Sequence, residues 1–465
     1  MPNSLLRQIP KVDAIIASAG WKTLVAACPE SIAKDALREY LGSLRLAIKE
    51  GRATVVPSIK EIVKDVGARA AALMEPGLKR VINATGVVIH TNLGRSLLAK
   101  RAVDAIVKVA TGYSNLEYDI EKGARGSRYV HCASILKRLT GAEEAFVVNN
   151  NAGAVFLILN TLAEGKEVII ARGELIEIGG SFRIPDVMKK SGAVLKEVGT
   201  TNRTYIEDFE RAIGENTGLI MKAHTSNYRI RGFTHEASSE ELVQLGKKYN
   251  IPTYFDTGSG LFYNFEGLET LDEPLIRDEL KKGFDVISFS GDKLLGAPQA
   301  GIVIGERGCL EAMKKNPMTR ALRPDKFTLA GLEATLLLCL DARSAAAGIP
   351  TIRMVLEDKD ALAKRARRLA SQLKKSCPGE TVSVVDIYSE VGGGSFPDMV
   401  IPSVGLALRP STITIDGLEK RLRHLPVPVV ARIEKEVLIL DMRTILAQDE
   451  KDLVAGVASV LTNAR

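Results

Sequence analysis

The chain has 465 residues, which is more than one hydrophobic core usually holds, because single cores stop growing at roughly 250–300 residues. Its 46% hydrophobic and 26% charged residues are typical of a globular protein. No apolar run approaches the roughly 18 residues that a membrane span requires, and the first residues lead into no signal-peptide hydrophobic region. We therefore expect a cytoplasmic protein of more than one domain, with no membrane partner.

The five cysteines are widely scattered and include no C-x-x-C pair. Together with their odd number, this argues against a disulfide framework and against structural zinc, so we predict no metal site. The net charge of +7 is unevenly distributed, because residues 1–80 hold 13 Lys/Arg against 8 Asp/Glu. A basic segment is compatible with nucleic-acid contact, although charged helix faces are most often simply solvated.

Residues 1–80 are predicted to form a small helical domain. Apolar residues recur there at helical spacing, at Ala33, Leu37, Leu41, Leu44 and Ile48. A second helix is predicted to begin at Ser58, because Ser58 and Glu61 form a capping-box pattern that precedes an apolar stripe. The pair Pro76-Gly77 is typical of a linker, so we place the end of this domain at residue 80.

From residue 81 the pattern changes to short apolar runs that alternate with longer helical stretches. Strands are predicted at 146–148, 167–171, 194–198, 219–223, 253–255 and 286–289, and helices at 154–162 and 239–249. Strands separated by helices imply βαβ crossovers and a mostly parallel sheet flanked by helices. We therefore predict a large α/β domain at residues 81–335, whose ligands bind beyond the carboxyl ends of the strands.

Residues 336–465 are predicted to form a smaller C-terminal α/β domain. A basic amphipathic helix is expected at 362–373, and strands are expected at 382–387, 399–401 and 437–440. The run Gly392-Gly393-Gly394 is interpreted as a flexible turn, because no phosphate-loop Lys-Ser/Thr pair follows it.

The stretch from Ser288 to Gly301 places Lys293 among small residues between two apolar, strand-like runs. A lysine is rarely buried unless it is paired or chemically used, since desolvation of the ammonium group is costly. A lysine in a dry site has a lowered pKa and is competent to form a Schiff base. A surface lysine in a glycine-rich turn would give the same local pattern, so the choice depends on the other motifs.

Two further motifs follow predicted strands. After the strand at 146–148 comes Asn149-Asn150-Asn151-Ala152-Gly153, where free N–H groups at a helix N-terminus would make an anion site. Asp256 follows the strand at 253–255, and a carboxylate there can hold a pyridinium nitrogen protonated. Each motif has a plainer interpretation as a helix N-cap. Ser290, three positions before Lys293, is a candidate phosphate-binding hydroxyl.

A phosphate loop, a strand-end Asp and a Lys, in this order on an alternating α/β pattern, resemble the fold-type I family of pyridoxal-phosphate enzymes. Other segments show a closer resemblance, to the bacterial selenocysteine synthase family, the L-seryl-tRNA(Sec) selenium transferases. These segments are 81–95, 116–119, 172–186, 199–204, 224–228 and 288–301. The resemblance covers nearly the whole chain, including the helical domain, and the one departure is Gly153, where the family also admits Ala.

The resemblance implies pyridoxal 5'-phosphate as the cofactor and assigns its contacts. Lys293 would form the internal aldimine and Asp256 would pair with the pyridine nitrogen. Ala152, Gly153 and Ser290 would help to hold the phosphate. The family reaction converts the seryl group of L-seryl-tRNA(Sec) into a cofactor-bound aminoacrylyl intermediate. Selenium from selenophosphate then adds to it, which gives L-selenocysteinyl-tRNA(Sec).

The chain also offers guanidinium groups suited to an anion, at Arg95, Arg128, Arg320 and Arg323. By resemblance they would position the substrate and selenophosphate, and surface ion pairing is the alternative. Asp292, beside the Schiff-base lysine, is a candidate for proton handling. His224 and His235 are expected to be structural or ring-contacting residues, because no cluster of metal ligands accompanies them.

Two other functions are compatible with parts of this pattern. A pyridoxal-phosphate lyase acting on a small amino acid would share the Lys and the Asp but would not need the basic helical domain. A non-catalytic RNA-binding protein would have no reason to keep the complete cofactor set. The additional domain therefore favours the tRNA enzyme. The resemblance further implies a homodecamer, and we expect no DNA partner.

Overall fold

In the computed structural model, the described residues are 2–178, 182–225, 228, 230–265, 273–392 and 395–462. The chain divides into two compact units, residues 1–80 and residues 81–465. Some residues of the motifs above lie outside the described residues, namely Gly179, Gly180, Ser181, Ser226, Asn227, Gly393 and Gly394. Among the described residues, no helix has the length and apolar content that a membrane span needs.

The first unit is helical, as predicted. Its helices are α1 (Pro2–Gln8), α2 (Val12–Ile16), α3 (Ala19–Ala27), α4 (Glu30–Lys49) and α5 (Ile59–Met74). The apolar stripe of α4 is buried in one core with Trp21 of α3 and Ile62 of α5. The predicted capping box is confirmed, because the Ser58 N–H donates to Glu61 Oε2 at 2.8 Å and the Ser58 hydroxyl accepts from the Glu61 N–H at 3.4 Å. This cap satisfies N–H groups that the first turn of α5 would otherwise leave free.

The second unit alternates strands and helices. Its strands are β1 (Ile82–Ala84), β2 (Tyr118–Asp119), β3 (Ala124–Arg125), β4 (Glu144–Val148), β5 (Glu167–Ala171), β6 (Glu177–Ile178), β7 (Phe182–Arg183), β8 (Val194–Val198), β9 (Thr217–Ala223), β10 (Thr253–Gly258), β11 (Val286–Ser290), β12 (Gly301–Gly305), β13 (Thr381–Gly392), β14 (Ser395–Arg409), β15 (Val429–Glu434) and β16 (Val437–Asp441). Its helices are α6 (Lys100–Ala110), α7 (Val130–Thr140), α8 (Asn151–Ala163), α9 (Ile184–Ser191), α10 (Ile206–Ala212), α11 (Ser239–Tyr249), α12 (Ile276–Lys282), α13 (Arg307–Lys315), α14 (Met318–Ala321), α15 (Lys326–Leu338), α16 (Ala342–Gly348), α17 (Pro350–Leu356), α18 (Lys359–Ser376), α19 (Ile415–Arg423) and α20 (Glu450–Thr462).

The larger sheet has the strand order β4-β12-β11-β10-β9-β5-β8. Its strands are parallel except β12, which runs antiparallel to β11 and to β4. Alternate residues of β4 enter different cores, since Phe146 and Val148 pack with α8 whereas Ala145 and Val147 pack with α7. The predicted α/β fold, a mostly parallel sheet flanked by helices, is confirmed.

The smaller sheet has the strand order β1-β15-β16-β14-β13. β13 and β14 form a long antiparallel hairpin, and the predicted strands at 382–387 and 399–401 are parts of it. Strand β14 extends beyond the predicted 399–401 at both ends, and it includes Pro402, which pairs opposite Tyr388 although proline cannot donate a hydrogen bond to a neighbouring strand. Helices α18, α19 and α20 share one apolar core with this sheet.

The connection between the two sheets lies inside the second unit. β1, which begins the unit, pairs in parallel with β15 of the smaller sheet, with Ile82 opposite Val429. Helix α15 continues across residues 335 and 336. Because residues 81–465 form one compact unit, the division at residue 335 remains a proposal about two lobes within it.

Candidate active site

Lys293 lies in the turn that joins β11 to β12, and it is only 4% exposed. The turn is tight, since a Cβ atom on Gly291 would lie 2.6 Å from the carbonyl oxygen of Pro298. Burial lowers the pKa of Lys293, the nearby Asp256 carboxylate opposes this shift, and the Arg95 guanidinium adds to it. The alternative of a surface lysine in a glycine-rich turn is therefore wrong.

Asp256 lies near the carboxyl end of β10, opposite Ser288 of the neighbouring strand β11. Its carboxylate is buried, and Oδ1 accepts hydrogen bonds from Asn151 Nδ2 at 2.8 Å and from the Gly258 N–H at 3.0 Å. Burial raises the pKa of the Asp256 carboxyl, while these two hydrogen bonds and the charge of Lys293 oppose the shift. A buried carboxylate of this kind is stable as an anion when a cationic partner reaches it.

Helix α8 begins with the asparagine-rich motif, at the edge of the sheet where β4 ends. The Asn150 side chain caps the helix by accepting from the Gly153 N–H at 2.8 Å. Strand β12 starts close beside it, since a Cβ atom on Gly301 would lie 2.3 Å from the carbonyl oxygen of Asn150. Ser290, the buried last residue of β11, pairs with Gly301. Ala152 and Gly153 thus lie in the first turn of a helix whose N-terminus suits an anion.

The segment after α14 packs onto this helix N-terminus. The Asn149 N–H donates to the carbonyl oxygen of Leu322 at 2.8 Å, and a Cβ atom on Gly153 would lie 3.1 Å from Leu322 Cδ2. Arg320 and Arg323 flank Leu322 in the chain, and Arg320 is exposed. The structure therefore brings both arginines to the neighbourhood of the predicted phosphate loop.

Arg95 contacts the residue next to Lys293. Its Nη1 donates to Asp292 Oδ2 at 2.8 Å, and the Asp292 side chain is about nine-tenths buried, at 10% exposure. Arg95 adopts a left-handed backbone conformation with a φ of 61°, which is uncommon for a residue other than glycine. The backbone is thus held in a costly conformation where it places this guanidinium on Asp292.

Arg128 is engaged with protein groups. Its Nε and Nη2 donate to Glu117 Oε1 at 2.9 and 2.7 Å, and its Nη1 donates to the carbonyl oxygen of Pro324 at 2.6 Å. Arg323 Nη1 lies 3.5 Å from the same Glu117 oxygen. The hydrogen bond from Arg128 lowers the pKa of Glu117. Glu117 and Arg128 therefore tie the main chain beside Arg323 in place.

The two histidines of interest lie in different surroundings. The main-chain N–H of His224 donates to the main-chain oxygen of Asp256 at 2.9 Å. The ring Nε2 of His224 lies 3.3 Å from Glu273 Oε2, without hydrogen-bond geometry. His235 Nδ1 lies 3.0 Å from the carbonyl oxygen of Thr204, and its ring stacks on Tyr205. Within the described part of the chain, no cluster of three or more His, Cys, Asp or Glu side chains is arranged to hold a metal ion.

Several residues that contact this site were not predicted from the sequence, namely Ser96, Glu117, Glu273 and, as a partner of Asp256, Asn151. Asn151 and Asp256 are 105 positions apart, and Ser96 and Lys293 are 197 apart. Periodicity and spacing describe neighbours along the chain, so they carry no signal for such pairs. Glu117 does lie in one of the segments that carry the family resemblance, and that signal was available.

The residues of the site fit pyridoxal phosphate. Buried polar atoms there that have no hydrogen-bond partner among the described residues include Asn151 Oδ1 and Asp292 Oδ1. Buried polar atoms are normally satisfied, so they indicate room for polar groups of a ligand. The buried amine, the buried strand-end carboxylate and the helix N-terminus match the aldehyde, the pyridine nitrogen and the phosphate of the cofactor. The fold and the site define a pyridoxal-phosphate enzyme of fold type I.

Comparisons with known proteins identify the family. The family model described as L-seryl-tRNA selenium transferase matches residues 81–446, and the model for the selenocysteine synthase N-terminal region matches residues 6–45. The chain belongs to the L-seryl-tRNA selenium transferase family, which confirms the resemblance. It is 50% identical over 460 residues to the L-seryl-tRNA(Sec) selenium transferase of Aquifex aeolicus, with 99% of each chain covered. It is 49% identical to the enzyme of the same name from Solidesulfovibrio magneticus, with 98% of this chain and 97% of the relative covered.

Among solved structures, the chain is similar to a D-glucosaminate-6-phosphate ammonia-lyase, with a TM-score of 0.59 and 20% identity. That alignment covers 83% of this chain and 97% of the lyase. At this identity the similarity shows the fold and carries no argument about the reaction. The family match, in contrast, favours the transferase over the lyase and the non-catalytic RNA-binding protein.

Proposed function

We propose that this protein converts L-seryl-tRNA(Sec) to L-selenocysteinyl-tRNA(Sec), with selenophosphate as the selenium donor and pyridoxal phosphate as the cofactor. The observation that carries the proposal is the family match along the two units, together with a buried Lys293 beside the buried Asp256. The substrate is inferred from the names of the relatives. The site has the buried amine and the buried carboxylate that a pyridoxal-phosphate reaction requires.

Lys293, Asp256 and the first turn of α8 would hold the cofactor. Lys293 would offer the amine for the aldehyde, and Asp256 would pair with the pyridine nitrogen. Ala152 and Gly153, in the first turn of α8, and the hydroxyl of Ser290 would help to hold the phosphate. When bound, the cofactor supplies an electron sink that stabilises negative charge on the α-carbon of the seryl group. Asn151 keeps the Asp256 carboxylate oriented, since its amide donates to Oδ1 at 2.8 Å.

Lys293 and Asp292 would move the protons of the reaction. Burial lowers the pKa of Lys293, which favours an uncharged amine that accepts the α-proton of the seryl group. Asp292 is adjacent in the chain and is oriented through Oδ2 by Arg95. Its Oδ1 has no hydrogen-bond partner among the described residues, so this carboxylate oxygen is available to accept a hydrogen bond or a proton during the reaction.

The arginines divide into two roles in this proposal. Arg320 and Arg323 contact selenophosphate, since they flank the segment that packs on the phosphate loop and Arg320 is exposed. Arg95 orients Asp292, and its remaining donors face the substrate. Arg128 contributes through Glu117 and Pro324, because its donors already serve those groups.

The remaining partners follow from charge and from exposed apolar surface. The excess of Lys/Arg over Asp/Glu in residues 1–80 supports tRNA contact by the helical unit. In the second unit, Tyr113, Tyr118 and Ile120 line a cavity of about 720 Å³ and are 110%, 52% and 67% exposed. Apolar exposure of this kind supports a homo-oligomer, for which the family resemblance implies a decamer. We place this enzyme in the cytoplasm, where charged tRNA is made and used.

The proposal is tested by supplying the purified protein with pyridoxal phosphate, seryl-tRNA(Sec) and selenophosphate. The expected product is selenocysteinyl-tRNA, identified by mass spectrometry of the released amino acid, and seryl-tRNA of an ordinary serine acceptor is the control substrate. Ammonia release from a free amino acid, without selenium transfer to tRNA, would show the lyase instead.

A further inference from the structure

Ser96 contacts the main chain of both residues that the proposed reaction uses for proton transfer. Its hydroxyl donates to the carbonyl oxygen of Lys293, and its N–H donates to the carbonyl oxygen of Asp292 at 3.3 Å. The preceding residue, Arg95, donates to the Asp292 side chain. Residues 95 and 96 therefore hold residues 292 and 293 at three points, across 197 positions of the chain.

Ser96 is itself well anchored. It is buried, at 9% exposure, and it follows Gly94 and Arg95, whose φ values of 91° and 61° are both left-handed. The same loop is fixed upstream, because the N–H groups of Val88 and Ile89 donate to the carbonyl oxygens of Glu390 and Val391 at 2.9 and 2.7 Å. The loop is thus held at both ends, and it keeps one non-glycine residue, Arg95, in a costly conformation, so it forms a rigid support for residues 292 and 293.

A lysine side chain has several rotatable bonds, so burial by itself does not fix where its amine lies relative to a neighbouring carboxylate. The amine must also move during the reaction, because it is attached to the cofactor at one stage and accepts a proton at another. What can stay constant is the main chain from which the Lys293 and Asp292 side chains project. A misplacement of about 1 Å in such groups costs on the order of a hundredfold in rate.

We propose that Ser96 is a positioning residue for the reaction, which holds the Asp292–Lys293 peptide so that the amine and the carboxylate keep one spacing. This inference rests on the proposed function. Ser96 touches neither substrate nor cofactor in this proposal, and it acts through Lys293 and Asp292.

The test compares Ser96→Ala with Ser191→Ala in the full-length holoenzyme. Ser191 is a matched control, because it is buried at 1% exposure and its hydroxyl donates to the carbonyl oxygen of Met188 at 2.7 Å, in helix α9. The measurements are cofactor content after borohydride reduction, circular dichroism of the cofactor chromophore in the visible range, and kcat for selenium transfer. The visible circular dichroism reports whether the cofactor attached to Lys293 has one orientation, which overall stability does not determine.

Ser96→Ala is expected to bind the cofactor at Lys293, to lose at least half of the visible circular dichroism and to lower kcat about tenfold or more. Ser191→Ala should match the wild type in all three. If Ser96→Ala matches Ser191→Ala, the inference is overturned while the proposed function stands. If the wild type forms no chromophore and transfers no selenium, the proposed function fails, and this inference fails with it.

If Ser96→Ala does not fold, a second variant, Ser96→Cys, is used in its place. Cysteine has a side chain of similar volume, but its S–H group is only a weak hydrogen-bond donor. This variant is expected to fold, and its circular dichroism and kcat should fall between those of the wild type and the values above. Wild-type circular dichroism and kcat in a folded Ser96→Cys would show that the strength of this hydrogen bond is unimportant, and would overturn the inference.

Discussion

The helical unit of residues 1–80 and the α/β unit of residues 81–465 differ in whether they bury charged side chains, which among the described residues only the α/β unit does. In the helical unit the ion pairs are exposed, as in Lys34–Glu30, where the two side chains are 49% and 57% exposed. In the α/β unit, Lys293 and Asp256 are buried, at 4% and 6% exposure. Exposed charges attract a polyanion over a distance and contribute little to stability, whereas buried charges are costly and change their pKa.

This difference shows how one chain can serve two purposes with the same residue types. The exposed lysines and arginines of the helical unit suit the phosphates of tRNA, whose binding depends on salt. The buried pair suits chemistry on one small group, because a dry site shifts its proton affinities. Changes in the two regions should therefore affect different measurements.

The largest effect is expected from Lys293→Ala, which removes the buried amine. Turnover should fall by roughly 10³-fold or more, since both cofactor attachment and proton transfer are lost, while tRNA binding stays near the wild-type value. Mass spectrometry after borohydride reduction should find the cofactor on Lys293 in the wild type. Lys196→Ala, which removes a lysine paired with Glu167, is the control and should keep the adduct. An adduct on a different lysine would refute the assignment.

Asp256→Asn should come next, with turnover lower by about a hundredfold and with cofactor still bound. A neutral amide no longer favours the protonated pyridine nitrogen, so negative charge at the α-carbon is poorly stabilised. Single-turnover kinetics with seryl-tRNA would measure the loss. Asp285→Asn is a control carboxylate, because Asp285 bonds to Thr253 at the opposite ends of the same strands. Wild-type turnover in Asp256→Asn would exclude Asp256 as the pyridine partner.

Arg320→Ala and Arg323→Ala are expected to raise the selenophosphate concentration needed for half-maximal rate by tens to about a hundredfold. Loss of a bidentate contact to an anion costs on the order of 1.5–3 kcal/mol. Cofactor content and tRNA affinity should not change. Arg343→Ala, at an exposed arginine of α16, is the control. If both variants need no more selenophosphate than the control does, Arg320 and Arg323 have a structural role.

Deletion of residues 1–75 should have the smallest effect on the cofactor site and act on tRNA instead. The truncated protein should be yellow and folded, since residues 81–465 form their own compact unit. Affinity for seryl-tRNA(Sec) should fall about tenfold or more, with a shallower dependence on salt because fewer counterions are released. Titrations at several salt concentrations would measure both. Equal affinity and equal salt slope would place tRNA binding elsewhere, and loss of the yellow chromophore would show that the helical unit supports the cofactor site.

The parts of this protein that sequence predicts well are those determined by local patterns. The strands at 167–171 and 194–198 appear at the predicted residues, and Lys293 and Asp256 were identified from the strands they follow. The parts that it predicts poorly depend on pairing across long separations. The sequence of residues 82–84 does not indicate that β1 pairs in parallel with β15. The sequence around Arg128 does not indicate that Glu117 and Pro324 accept its hydrogen bonds. Tertiary contacts decide these features, and periodicity does not record them.

The pairing of β1 with β15 also sets an order of events when the chain is made. A nascent chain is synthesised from its N-terminus at roughly 5–20 residues per second, so β1 emerges long before its partner strand exists. The loop that carries Arg95 and Ser96 is likewise fixed by Glu390 and Val391 of β13. The larger sheet can assemble beforehand, but the loop beside the turn of Lys293 is fixed only after the smaller sheet forms. Such distant contacts slow folding, and a chain interrupted before residue 381 would contain Lys293 and the loop of Arg95 and Ser96 but not the β13 residues that fix this loop.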